Sequence, residues 1–306
     1  MNNLAVVESG REALKVTESL LDRVERFINS LDAKDTTKDA YRKSLKVFEA
    51  WLIEKDCNNP DRETILEYKQ YLQDRSLSPQ TITAYLTALR RFFAYLETIK
   101  VYPNIARDIK GLKRPRGFLK DALTKDEVNI LLDFERKTIT DYRDYALINL
   151  MLRTGLRTIE VSRALTEDIG REGGEQVLRI WGKGRDSKDE LVILTIQTYK
   201  PILDYLEARG DNKGPLFVSH SNRSKETLTT KSISRIIANR LKDKGLKTTR
   251  ITAHSLRHTA GTIALSNGAD LIDVKDMLRH SNINTTMIYT HNINRIKNGA
   301  EKFISF

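Results

Sequence analysis

A single cysteine, Cys57, stands in 306 residues. No intrachain disulfide can form, and every zinc cluster that needs two or more thiolates is excluded, so a reducing cytoplasm is the expected setting. Long apolar runs are missing too. The best stretch, Tyr145 to Leu152, is broken by Asn149 and falls far short of the roughly 20 residues that cross a bilayer. The opening MNNLAVVESGREALK has no basic segment followed by an apolar one, so no signal peptide is expected. The five histidines (His220, His254, His258, His280, His291) include no HExxH spacing, and no GxxxxGK[ST] phosphate loop occurs. Acidic residues are the minority charge, 41 against 52 basic ones, which leaves a net +11.

What is present suits a soluble globular chain. It is 40% hydrophobic and 30% charged, and long enough for about two domains at roughly 100–200 residues each. A basic excess of this size points to an anionic partner, nucleic acid ahead of a membrane surface, although net charge also serves solubility.

Four helices are predicted in the first hundred residues. Positions 17–31 place Leu20, Val24, Phe27 and Ile28 on one face, and positions 37–55 do the same with Tyr41, Leu45, Phe48 and Trp51. Asp61 caps a third helix carrying Ile65, Tyr68 and Leu72, and Ser78 with Pro79 starts a fourth through Ile82, Leu86, Leu89 and Phe93. The expected division is a helical domain over 17–105, a basic linker over 106–120 and a second domain over 121–306. In the linker, KGLKRPRGFLK carries five basic residues and no acidic one. In the second domain, Thr124 and Glu127 form a capping box, a helix covers 141–153, Gly155 ends it, and a short helix follows over 158–164. The period then changes to two. Residues 176–181 and 190–195 are β-rich and flank GKGRDSKD, a hairpin turn. Helices are expected again over 198–208, 230–244, 252–267, 270–279, 284–291 and 294–304.

Five pieces of this domain are distinctive together: TGLRTIE (154–160), GKG (182–184), HSLRH (254–258), LRHSN (278–282) and IYTH (288–291). In this order, and with Arg257 three residues after His254 and Tyr289 nine after His280, the chain resembles the tyrosine recombinase, or phage integrase, family. It is most similar in plan to the simpler Xer-type and mobile-element recombinases, which lack an arm-binding domain. The resemblance implies a mainly α fold with a small antiparallel β-sheet in the catalytic domain, arranged as a two-domain C-shaped clamp around DNA.

It also implies roles. Arg157 and Arg257 would clamp the nonbridging oxygens of a scissile phosphate, for which guanidinium forks are better matched than ammonium groups. Tyr289 would be the nucleophile. A phenol titrating near 10 needs help to lose its proton, and the family assigns that help to His254. Spacing alone leaves His254 and His258 equivalent, one helical turn apart; the resemblance makes His258 a support. Lys183 would protonate the leaving 5′ oxygen and His280 would hydrogen-bond a nonbridging oxygen. Glu160, at i+3 from Arg157, would pair with it and support the site. No cofactor or metal is expected.

Two departures from the family pattern stand out. The hairpin is longer than usual and has Glu190 where a basic residue is common, leaving Arg185 or Lys188 to supply its phosphate contacts. A glycine usually precedes the second histidine; here it is Arg279.

The function implied is site-specific DNA recombination through a 3′-phosphotyrosyl intermediate and a Holliday junction. The alternatives are topoisomerase IB-like relaxation and a DNA-binding regulator without turnover. Partners would be duplex DNA with an inverted-repeat core site and further copies of the chain, a dimer per site and a tetramer at synapsis. The apolar tail ending in Phe303, Ile304 and Phe306 would dock either in cis or in trans. DNA-contacting candidates are Lys43, Gln80, Arg90 and Arg91 in the first domain, Lys113, Arg114 and Arg116 in the linker, and Lys231 and Arg235 in the second, within a basic stretch over 231–257.

Overall fold

Helix starts written into the sequence set the first unit. In the computed structural model, which describes residues 23–113, 121–181, 187–220 and 226–287, the chain divides into units Met1–Arg116 and Gly117–Phe306. Helices α1 (Arg23–Ser30), α2 (Asp35–Glu54), α3 (Arg62–Asp74) and α4 (Pro79–Thr98) form the first. Asp61 accepts from the Thr64 backbone while Thr64 returns a bond to the Asp61 N–H, and Ser78 accepts from Thr81 with Pro79 just inside α4. Each helix turns one stripe inward, and Phe27, Phe48, Trp51, Tyr68 and Phe93 meet in a single core. Phe48 packs edge-on against Tyr68 with centroids 4.9 Å apart. Burial pushes the Tyr68 phenol pKa well above its usual value. Ala106 and Ile109, placed in the linker by the sequence pattern, are buried in this core. The first turn of the expected 17–31 helix lies outside the described residues.

The second unit is built around α6 (Ile139–Thr154), whose residues 146–152 are all buried. Thr138 caps it with Asp141, so it begins two residues before the expected start at 141; Gly155 ends it in the left-handed region at φ 63°. Before it comes α5 (Lys125–Leu132), capped reciprocally by Thr124 and Glu127; after it comes α7 (Thr158–Arg163). A 3-10 turn (Thr166–Asp168) precedes the sheet, and helices α8 (Ile196–Arg209), α9 (Thr230–Asp243), α10 (Ala253–Ser266) and α11 (Leu271–Leu278) follow, with residues 283–287 also helical. Helix α8 runs along α6, and α10 packs across α6, α9 and α11.

The sheet has three antiparallel strands in the order β1 (Ile169–Glu172), β2 (Glu175–Ile180), β3 (Glu190–Ile193). The expected hairpin is β2–β3, with Val177 opposite Ile193 and Ile180 opposite Glu190. Strand β1 has no strand pattern of its own in the sequence. It joins β2 through Gly173 and Gly174, whose φ values of 58° and 86° suit a tight two-residue turn.

Ion pairs inside this unit absorb charge that the sequence presents as available. Arg240 of α9 pairs with Asp141 and Asp144 of α6 at 2.7 and 2.9 Å. Burial works to raise the Asp141 pKa, but bonds from Thr138 and Arg240 outweigh it and hold the carboxyl at about 2. Within the basic stretch over 231–257, the Arg240 charge is thus met inside the unit itself. Lys188, a candidate phosphate contact of the hairpin, pairs with Asp168 and lies over the Trp181 ring.

Candidate active site

The end of α11 organises the site. A helix leaves its last carbonyls unpaired and carries partial negative charge there. Here the carbonyls of Met277, Leu278 and Arg279 accept from three different guanidinium groups: Arg279 at 2.6 Å, Arg257, and Arg157 at 3.5 Å. Arg257, only 2% exposed, also donates to the Gly155 carbonyl at 2.7 Å. Two backbone acceptors thus fix the Arg257 fork between the end of α6 and the end of α11. Gly155 is required for that closeness, since a Cβ there would sit 2.4 Å from a Leu278 methyl.

Arg157 lies at the start of α7 and is held by Glu160, which is 3% exposed. One Glu160 oxygen accepts from the Arg157 guanidinium and the other from its backbone N–H, each at 2.7 Å. The second oxygen also pairs with Arg279 at 2.9 Å. Burial acts to raise the Glu160 pKa, but the Arg279 charge and the Arg157 bonds prevail, so it lies below its usual value and the carboxylate stays charged.

His280 follows directly. Its backbone N–H bonds the Lys275 carbonyl while that of Arg279 bonds Asp276, a Schellman ending to α11. The residue in the left-handed position is Arg279, at φ 52°, a conformation that costs an L residue about 1 kcal/mol. The arginine thus adopts the backbone that glycine would take without strain, and the contacts of its side chain hold it there. His280 Nδ1 lies 2.8 Å from Thr286 Oγ1. Burial, followed by the charges of Arg257, Arg157 and Arg279, pushes its pKa down to about 4, so the ring is neutral at pH 7. In the tautomer that carries its proton on Nε2, Nδ1 accepts from the Thr286 hydroxyl and the Nε2–H is the ring's donor.

His254 is exposed at the start of α10, and the half-buried His258 meets its ring edge-on, centroids 4.7 Å apart. Arg157, His254, Arg257 and His280 all line one cavity of about 690 Å³. Lys275 lines it too, a residue the motifs do not mark. Among the described residues, no group of three or more His, Cys, Asp or Glu side chains is gathered to hold a metal ion. Lys183, Arg185 and Tyr289 lie outside the described residues, as do Arg114 and Arg116.

Of the other DNA-contacting candidates, Lys43, Arg91, Lys113, Lys231 and Arg235 are exposed and Gln80 is half-buried. Gln80 and Arg91, eleven positions apart on α4, share a face because that interval is close to three helical turns. Arg90 turns back on its own helix, bonding Thr87 Oγ1 at 2.9 Å. No described helix is long and apolar enough to cross a membrane.

Two family profiles match this chain: the phage integrase family over residues 121–295, and the phage integrase N-terminal SAM-like domain over residues 24–100. The chain belongs to the phage integrase family. Among the phage integrase relatives is tyrosine recombinase XerD of Pseudomonas putida, 29% identical over 88% of this chain and 92% of that protein. Tyrosine recombinase XerD of Staphylococcus aureus is 30% identical over 90% of this chain and 94% of its own length. The fold is that of XerH site-specific recombinase bound to palindromic difH substrate (TM-score 0.71, 24% identity, covering 93% of this chain and 85% of that one). It is shared with a lambda integrase dimer bound to a COC′ core site (TM-score 0.70, 16% identity, 89% and 94% covered). Phage integrase membership makes this chain an enzyme of the tyrosine recombinase class.

Proposed function

We propose that this enzyme recombines DNA at specific sites by forming a covalent link between Tyr289 and a 3′ phosphate. The observation that carries the reading is the convergence of Arg157, His254, Arg257 and His280 on one cavity, three of them anchored around the end of α11. A phosphodiester undergoing attack gathers negative charge on its nonbridging oxygens, and preorganised donors lower the barrier because they need no rearrangement as that charge grows. Arg157 and Arg257 would supply the guanidinium donors and neutral His280 a third N–H. The Tyr289 oxygen would attack phosphorus as its proton passes to His254. The bond to the 5′ oxygen would then break, with Lys183 protonating the leaving group. The phosphotyrosyl bond conserves the phosphodiester energy, so a 5′ hydroxyl from a second duplex can reverse the step and generate a Holliday junction.

DNA would be held largely through phosphates by Lys43, Gln80, Arg91, Lys113, Lys231 and Arg235. Two proteins of like fold, a recombinase bound to a palindromic substrate and an integrase bound as a dimer to a core site, support a dimer of this chain on inverted repeats. Two such dimers would make the synaptic tetramer. The test is incubation with a nicked suicide duplex: the wild type should leave a denaturation-resistant protein–DNA adduct and Tyr289→Phe none. An undiminished adduct from Tyr289→Phe rejects the assignment.

A further inference from the structure

Four side chains of alternating sign run from the first residue of β3 to the start of α7: Glu190, Arg279, Glu160 and Arg157. The successive gaps are 3.6, 2.9 and 2.7 Å. Glu190 and Arg279 both wall the cavity that Arg157, Arg257, His254 and His280 also line. A carboxylate in the wall of an anion pocket repels the anion, and the effect grows where water is excluded. Arg279 lies between the two carboxylates, its side chain 8% exposed. Its Nε and the facing Glu190 oxygen are both buried and neither makes a hydrogen bond. They face each other as charges, without the geometry of a donor and acceptor. The Arg279 backbone adopts φ 52°, so the side chain is kept at a position where its own residue type is conformationally disfavoured.

We propose that Arg279 is a positioning residue that cancels Glu190 and shares Glu160 with Arg157, keeping the cavity attractive to a phosphate oxyanion. The proposal rests on the recombinase reading only for its activity readout. It predicts a specific epistasis. Without Arg279, Glu190 faces the cavity uncompensated and Glu160 closes on Arg157 alone; removing the Glu190 charge as well relieves most of the defect.

The probes are inorganic phosphate at low ionic strength, followed by calorimetry, and single-turnover adduct formation on the nicked duplex. Arg279→Gly, which relaxes the backbone, should weaken phosphate binding and slow adduct formation about tenfold each, and the double variant Arg279→Gly/Glu190→Gln should return both to within about threefold of wild type. A mere loss of packing gives no such recovery. Arg279→Lys gives up the guanidinium bond to the Met277 carbonyl but keeps the charge between Glu160 and Glu190, and because charge rather than the fork offsets Glu190 it should stay within about threefold of wild type; it carries the test if Arg279→Gly melts below the assay temperature. Wild-type behaviour of Arg279→Gly, no recovery in the double variant, or a tenfold defect in a folded Arg279→Lys overturns the proposal. The phosphate pattern appearing in a protein whose wild type forms no adduct keeps this inference and removes the recombinase reading.

Discussion

Arg257 donates to the carbonyl oxygen of Gly155 at 2.7 Å, joining residues 102 positions apart. One side chain thereby ties the end of α6 to α10 and, through Leu278, to the end of α11. Arg257→Lys replaces this fork by a single ammonium group. It is expected to lower single-turnover adduct formation by about 10²-fold or more, the scale of losing one preorganised donor. Thermal unfolding should fall as well, since buried carbonyls lose partners. Adduct formation within threefold of wild type would show that the fork is dispensable.

Gly155→Ala should destabilise while removing no charged group. The new methyl would lie 2.4 Å from Leu278 at a φ of 63°, a combination of overpacking and backbone strain costing about 2–4 kcal/mol. Urea unfolding should report a lower midpoint with an unchanged slope.

Stability should decline with acid in a way that His280 explains in part. Its folded pKa is about 4, below its ordinary 6.5, so between those values the unfolded chain binds more protons and stability falls as pH falls. The contribution is fully present above 6.5 and lost on the way to 4. Unfolding free energies measured at pH 7, 5.5 and 4.5 should drop less steeply in His280→Gln than in wild type. Asp141 acts lower: its folded value of about 2 lies below the ordinary 3.8, so its share is present above 3.8 and lost toward 2. Equal slopes for wild type and His280→Gln over pH 4.5–7 would contradict the assignment to His280.

Helix α9 carries two kinds of basic residue, exposed and internally paired, and they should respond to different measurements. Lys231→Ala and Arg235→Ala, both exposed, should each reduce the slope of log affinity for duplex DNA against log salt by about 1. Arg240→Ala leaves Asp141 and Asp144 without their shared partner and should cost about 3 kcal/mol of stability while leaving that slope unchanged. A steeper loss of salt dependence in Arg240→Ala than in Lys231→Ala would reverse the assignment.

Local signals in the sequence carried much of the fold. Ser78 with Pro79, Thr124 with Glu127, and Gly155 mark helix ends because a cap involves only neighbours within four residues, and all three ends lie where those residues place them. Strand β1 escaped detection because Ile169–Glu172 is four residues long, contains a glycine and two charged groups, and becomes a strand only by pairing with β2. The motif residues Arg157, His254, Arg257 and His280 were legible as residues, but their common anchor was not. Nothing near Arg257 in the chain announces Gly155 or Leu278 as its acceptors. The same holds for Lys188, whose Asp168 partner lies twenty positions away across the sheet. Arg279 was visible only as an oddity beside His280; its meaning depends on Glu160 and Glu190, which the fold brings from two other elements.

The β1–β2 turn offers an experimental handle. Gly173 and Gly174 project into open space, with no atom within 4 Å of where a Cβ would stand, and neither lines the cavity around Arg257. A dye-bearing peptide inserted between them would extend into solvent from the β1–β2 hairpin, so arrival and departure of single enzyme molecules on DNA could be timed with the cavity around Arg257 left intact.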